Sequence, residues 1–145
     1  MNSKLRHVGI VVQDLDTWLE FFISTLNFEV WVEKLESGEF VSNLIGIPKT
    51  TVRTIKLKDK SGGVIELLHF VSPVGKSRKR EEVEPNTLGI THIALQVISL
   101  DEKLEILAKA GYSPINQATI SEDGLAKVCY LRGPENVLFE LVQLL

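Results

Sequence analysis

Four polar residues in this 145-residue chain have the types and placement to hold a metal ion: His7, Glu66, His92 and Glu140. Each glutamate interrupts an apolar run, Glu66 in Val64-Ile65-Glu66-Leu67-Leu68 and Glu140 in Val137-Leu138-Phe139-Glu140-Leu141-Val142. A carboxylate facing a dry core is costly, so each should face solvent, a cation or a donor. Taken singly, all four are accounted for as ordinary strand residues. Taken together, two imidazoles and two carboxylates suit a borderline or moderately hard divalent ion (Zn, Ni, Co, Mn or Fe), with positions left for water or substrate oxygens. The ligand set does not select among these ions.

The elements that must position these groups form a repeat. The β-rich run Leu5 to Val12 puts His7, Gly9 and Val11 on one face, and it feeds an amphipathic helix with Trp18, Phe21, Phe22 and Leu26 as its stripe, capped by Asp14 or Asp16. The same order returns 85 residues later, in Ile90 to Val97 followed by a helix over Glu102 to Ala110; His7 matches His92, Gly9 matches Ala94 and Asp16 matches Asp101. Strands are expected at Phe28 to Leu35, Thr51 to Leu57 and Val64 to Phe70 in the first half. The second half offers Ser113 to Ile120, Ala126 to Leu131 and Val137 to Val142. Each half therefore reads βαβββ, and if pseudo-twofold packing brings their concave faces together the four polar groups meet.

The division expected is a first module over 4–71, a linker over 72–87 and a second module over 88–145, within one α+β domain. Modules this small bury too little surface alone and should lean on each other. The segment 36–50, with Gly38, Gly46 and Pro48, reads as a loop or short helix, either over a binding site or as a plain surface excursion. His69, three residues from Glu66, falls on the opposite strand face and is not assigned to the metal.

Composition removes several function classes. Net charge is −3, and the one dense basic cluster, Lys76 to Arg80, is followed at once by Glu81, Glu82 and Glu84. Such a run reads as a solvated linker, not a nucleic-acid surface. No apolar stretch asks for a membrane or an export signal, so a cytoplasmic location is expected. The single Cys129 reads as a structural thiol within a strand.

With those residues in place, the chain resembles the vicinal oxygen chelate superfamily, which includes glyoxalase I, methylmalonyl-CoA epimerase, extradiol dioxygenases and antibiotic-resistance proteins. The resemblance runs from His7-Val8-Gly9-Ile10-Val11-Val12-Gln13-Asp14-Leu15-Asp16 to Leu138-Phe139-Glu140-Leu141-Val142. It implies an open, cup-shaped mixed sheet around one metal, held by His7, Glu66, His92 and Glu140. The His/Glu/His/Glu set is similar to bacterial glyoxalase I, whereas epimerases commonly carry Gln where Glu66 stands. Yet Ile65-Glu66-Leu67-Leu68-His69-Phe70-Val71-Ser72-Pro73 and Gly89-Ile90-Thr91-His92-Ile93-Ala94 look like epimerase sequence.

The resemblance implies a lyase or isomerase that abstracts a proton α to a metal-polarised carbonyl, with Glu140 preferred over Glu66 as the base. Glu33, Glu36 and Glu39 are further candidates near the variable segment. The substrate would be a small carbonyl compound, including glutathione and CoA adducts, and the protein a homodimer. Two alternatives are a metal-free drug-binding protein using Trp18, Trp31, Phe40 or Tyr112, and an extradiol-type Fe(II) dioxygenase.

Overall fold

The computed structural model describes residues 2–76 and 84–145, which fall into two compact units, Met1–Ser77 and Arg78–Leu145. Apart from Lys76 and Glu84, the charge run expected to be a solvated linker lies outside the described residues.

In the first unit β1 (Val8–Val11) leads into α1 (Leu15–Glu20), whose first turn is capped as the sequence predicts: Asp14 accepts from the Thr17 amide at 3.1 Å. Thr17 also donates its hydroxyl to Asp14 at 2.7 Å, and these bonds, the side-chain one first, hold the Asp14 carboxyl below its ordinary range. The helix runs on through a wider π turn, Phe21–Thr25. The buried positions are Leu15, Trp18, Phe21, Phe22 and Thr25, so the stripe expected to end at Leu26 ends one residue earlier. Next come β2 (Glu29–Ser37), α2 (Glu39–Ile45), β3 (Thr51–Lys58) and β4 (Val64–Ser72). The segment 36–50 is thus largely a short helix, closed by Gly46 in the left-handed conformation that glycine adopts without steric cost.

The strand order is β1-β4-β3-β2, with β1 parallel to β4 and the remaining pairs antiparallel. Alternation along β3 and β4 gives the sheet two characters. Ile55, Leu57, Ile65 and Leu67 are buried on one side and, with Trp18, Phe21 and Phe22, form the core. Lys56 and Glu66 lie on the other side, the one shared with Gly9.

The second unit repeats this plan with β5 (His92–Gln96), α3 (Leu100–Lys109), β6 (Thr119–Ile120), β7 (Ala126–Arg132) and β8 (Leu138–Leu144), ordered β5-β8-β7-β6. Its core is Leu100, Leu107, Cys129, Leu131, Phe139 and Leu141. Each unit is therefore a four-stranded mixed sheet of βαβββ type, as the repeat implies. One strand is much shorter than expected. Of Ser113 to Ile120, only Thr119–Ile120 pairs regularly, with an isolated bridge from Pro114 to Leu131. Proline has no N–H to give a ladder, and the two pairings differ in register, so the intervening residues bulge from this outer strand.

Candidate functional site

Each unit brings one histidine to one glutamate. His7, immediately before β1, sets Nε2 3.1 Å from Glu66 Oε2; His92, the first residue of β5, sets Nε2 3.2 Å from Glu140 Oε2. The register is the same in both. Gly9 lies beside Glu66 and Ala94 beside Glu140, so each carboxylate is paired with the residue two positions after its histidine. An open position two residues on is what lets imidazole and carboxylate project from the same face of a parallel pair.

The small residue at that position is matched to its neighbour. A Cβ on Gly9 would lie 3.2 Å from Leu68 Cδ1. In the second unit Ala94 carries that methyl, and the residue aligned with Leu68 is the shorter Val142.

Across the antiparallel ladder each glutamate meets a third residue, Lys56 opposite Glu66 and Tyr130 opposite Glu140. Lys56 Nζ is 2.8 Å from Glu66 Oε1, leaving Oε2 to His7. The Tyr130 hydroxyl lies 3.2 Å from His92 Nε2 and hydrogen-bonds Glu140. Burial first, then the Glu140 charge, pushes the Tyr130 phenol above its ordinary range, so it stays a neutral donor. The imidazoles differ on their far side. His92 Nδ1 has the Thr91 hydroxyl at 3.0 Å, whereas His7 Nδ1 is buried and has no hydrogen-bond partner among the described residues.

Lys56 and Tyr130 were not among the sequence candidates. The signal that would have found them is spacing: each precedes its glutamate by ten positions, in the strand before the hairpin turn.

The donor set fits a divalent ion. Adjacent ligands bonded at about 2.0–2.2 Å are separated by roughly 2.8–3.1 Å at a right angle and roughly 3.3–3.6 Å at the tetrahedral angle; the spacings of 3.1 and 3.2 Å lie at and just beyond the upper end of the first range. The same spacing also serves a direct hydrogen bond. Among the described residues no set of three or more His, Cys, Asp or Glu side chains that could hold a metal ion gathers, and each unit brings together one imidazole and one carboxylate.

The other candidates sit as follows. His69 is on the face opposite Glu66, as alternation requires, and lines an open cleft with Gln13, Asp14, Leu15, Asp16 and Arg53. Glu33 pairs with Arg53, Nη2 to Oε1 at 2.5 Å, on that same far side. Glu36 shares the face of Lys56 and Glu66 and accepts from the Thr54 hydroxyl at 3.3 Å; Glu39 opens α2. Trp18 is fully buried as helix packing, whereas Trp31 and Phe40 are exposed. Cys129 is buried. No helix among the described residues is long and apolar enough to cross a membrane.

Comparison with known proteins agrees with this architecture. A family model described as glyoxalase/bleomycin resistance protein/dioxygenase superfamily matches residues 6–130. The chain is similar to a glyoxalase family protein from Bacillus cereus at 27% identity, covering 99% of this chain and 97% of that one, with a TM-score of 0.90. It shares its fold with a glyoxylase/bleomycin resistance protein/dioxygenase domain from Frankia sp. EAN1pec, at 20% identity, 100% and 94% coverage and a TM-score of 0.70. It shares it too with the fosfomycin resistance protein FosX from Listeria monocytogenes, complexed with Mn(II) and sulfate, at 20% identity, 99% and 93% coverage and a TM-score of 0.64. No curated protein matches the sequence.

Proposed function

The chain belongs to the glyoxalase/bleomycin resistance protein/dioxygenase superfamily, and from that membership we propose a divalent-metal-dependent lyase or isomerase that removes a proton α to a carbonyl. The observation that carries this reading is the pair of imidazole–carboxylate couples, at 3.1 and 3.2 Å, in matching register of two repeated sheets. His7, Glu66, His92 and Glu140 would hold one ion, supplied by one chain or by two. FosX, alike in fold, takes Mn(II). A bound ion supplies electrophilic polarisation of substrate oxygens.

The chain's own residues then divide the remaining work. Glu140 is the preferred base and Glu66 the second choice. Glu140 has a neutral phenol as its ladder neighbour, whereas one oxygen of Glu66 is already engaged by an ammonium. Tyr130, which keeps its proton, orients Glu140 by hydrogen bonding. The substrate class is a small carbonyl compound, with glutathione and CoA adducts the first to test, and the expected assembly is a homodimer.

Metal analysis of the native protein, combined with exchange of α-protons of candidate substrates in deuterated water, tests the reading. About one ion per chain with exchange is expected, and Glu140→Gln should lower exchange by about 100-fold or more while circular dichroism is unchanged. Unaltered exchange in that variant removes Glu140 as base. A folded protein that takes no divalent ion and binds apolar ligands tightly would instead be a sequestering protein.

A further inference from the structure

Resting on the metal reading above, we infer that Lys56 is a positioning residue that restricts Glu66 to a single donor oxygen. A carboxylate offers two oxygens and can bind a cation through one or both. In Glu66 the two are already distinguished: Oε1 faces Lys56 Nζ at 2.8 Å and Oε2 faces His7 Nε2 at 3.1 Å. The distinction is built into the backbone. Lys56 and Glu66 are directly opposed on β3 and β4, the two interior strands of the sheet, so their separation does not depend on a loop.

Both side chains are largely shielded, with relative exposures of 24% for Lys56 and 13% for Glu66, so the pair is less screened than one in open water. An ammonium on Oε1 disfavours a metal at that oxygen in two ways: it engages one of the two lone pairs, and it repels a second cation. Glu66 is left to bind through Oε2, and more of the ion remains for water and substrate. The second unit has no such device, because Tyr130 stands at the equivalent position and brings no charge.

The test is Mn(II) binding, with affinity read from the resonance of unbound Mn(II) and bound water from proton relaxation. Lys56→Met should bind Mn(II) at least about threefold more tightly and carry one exchangeable water fewer, because Glu66 gains its second oxygen and the repelling charge is gone. Lys56→Arg should restore the native water count. In a Glu66→Gln background, Lys56→Met should leave the count unchanged. If Lys56→Met does not fold, Lys56→Leu supplies the same comparison. A native protein that takes up Mn(II), with a Lys56→Met variant of equal water count, overturns the role of Lys56 alone. Weaker binding at an unchanged count does the same. A native protein that takes up no Mn(II) overturns the metal reading and this inference together.

Discussion

Lys56 and Tyr130 hold the same place in two different sheets: each stands directly across an antiparallel ladder from the glutamate that pairs with a histidine. One contributes a charge to its carboxylate and the other a neutral hydroxyl. The repeat is therefore strict in backbone and relaxed in chemistry, and the difference falls at the residue beside each candidate ligand.

Tyr130 should set an alkaline limit to stability. Its phenol is raised above 10.0, chiefly by burial and then by the Glu140 charge, so the folded state holds that proton more tightly than the unfolded chain does. The stabilisation is complete below the unfolded value and is lost as pH rises through the folded one. Thermal unfolding between pH 8 and about 12 should show the native protein falling off above pH 10.0 more steeply than Tyr130→Phe. Parallel curves would contradict this.

Gly9 and Leu68 should be energetically coupled. Gly9→Ala brings a methyl to 3.2 Å from Leu68 Cδ1, whereas the second unit accommodates the same methyl, on Ala94, beside Val142. Combining Gly9→Ala with Leu68→Val should be more favourable than the sum of the single changes by about 0.5–1 kcal/mol in urea denaturation. Strict additivity would show that the contact is absorbed elsewhere.

The turn after β3 depends on a bare Cα. A Cβ on Gly63 would meet Asp59 Oδ2 at 2.5 Å, while Asp59 Oδ1 accepts at 2.8 Å from the Ser61 amide, the Ser61 hydroxyl and the Gly63 amide. Gly63→Ala should cost about 1–3 kcal/mol by displacing that carboxylate. Burial raises the Asp59 carboxyl, but the hydrogen bonds from Ser61 and Gly63 outweigh it and hold the group below 3.8. The native advantage should therefore be present above 3.8 and shrink as pH falls through the lowered value. A pH-independent difference in denaturation midpoint would be evidence against the hydrogen-bonded carboxylate.

Cys129 should be silent toward thiol reagents in the folded protein. It is 3% exposed, and burial pushes its thiol up, which lowers the thiolate fraction. A disulfide reagent should label it fully in denaturant and slowly without. Rapid stoichiometric labelling of the native chain would refute the structural assignment.

Much of the fold was legible because the repeat marks its own phase: His7 and His92 open matching strands, and Glu66 and Glu140 each break an apolar run. Lys56 was not legible. It lies in Thr51-Val52-Arg53-Thr54-Ile55-Lys56-Leu57-Lys58, where four other residues are polar too, and only the hairpin register picks it out. Tyr130 was hidden differently, as an aromatic that a strand pattern assigns to packing. The outer strand was overextended because Ile115, Ala118 and Ile120 supply apolar positions after Pro114 and the pattern does not register the donor that Pro114 lacks. Helix α2 left little periodicity to read, since its seven residues make barely two turns.

The placement of β1 and β5 at the ends of their strand orders bears on how these units assemble during folding. Each histidine arrives at or just before the start of a strand with one neighbour in its unit, and that neighbour is the last strand of the unit to be synthesised, tens of residues downstream. The hairpins can zip early from local contacts, whereas the imidazole must wait for this slow, distant closure. A histidine seated against its glutamate thus marks a unit whose chain has been completed.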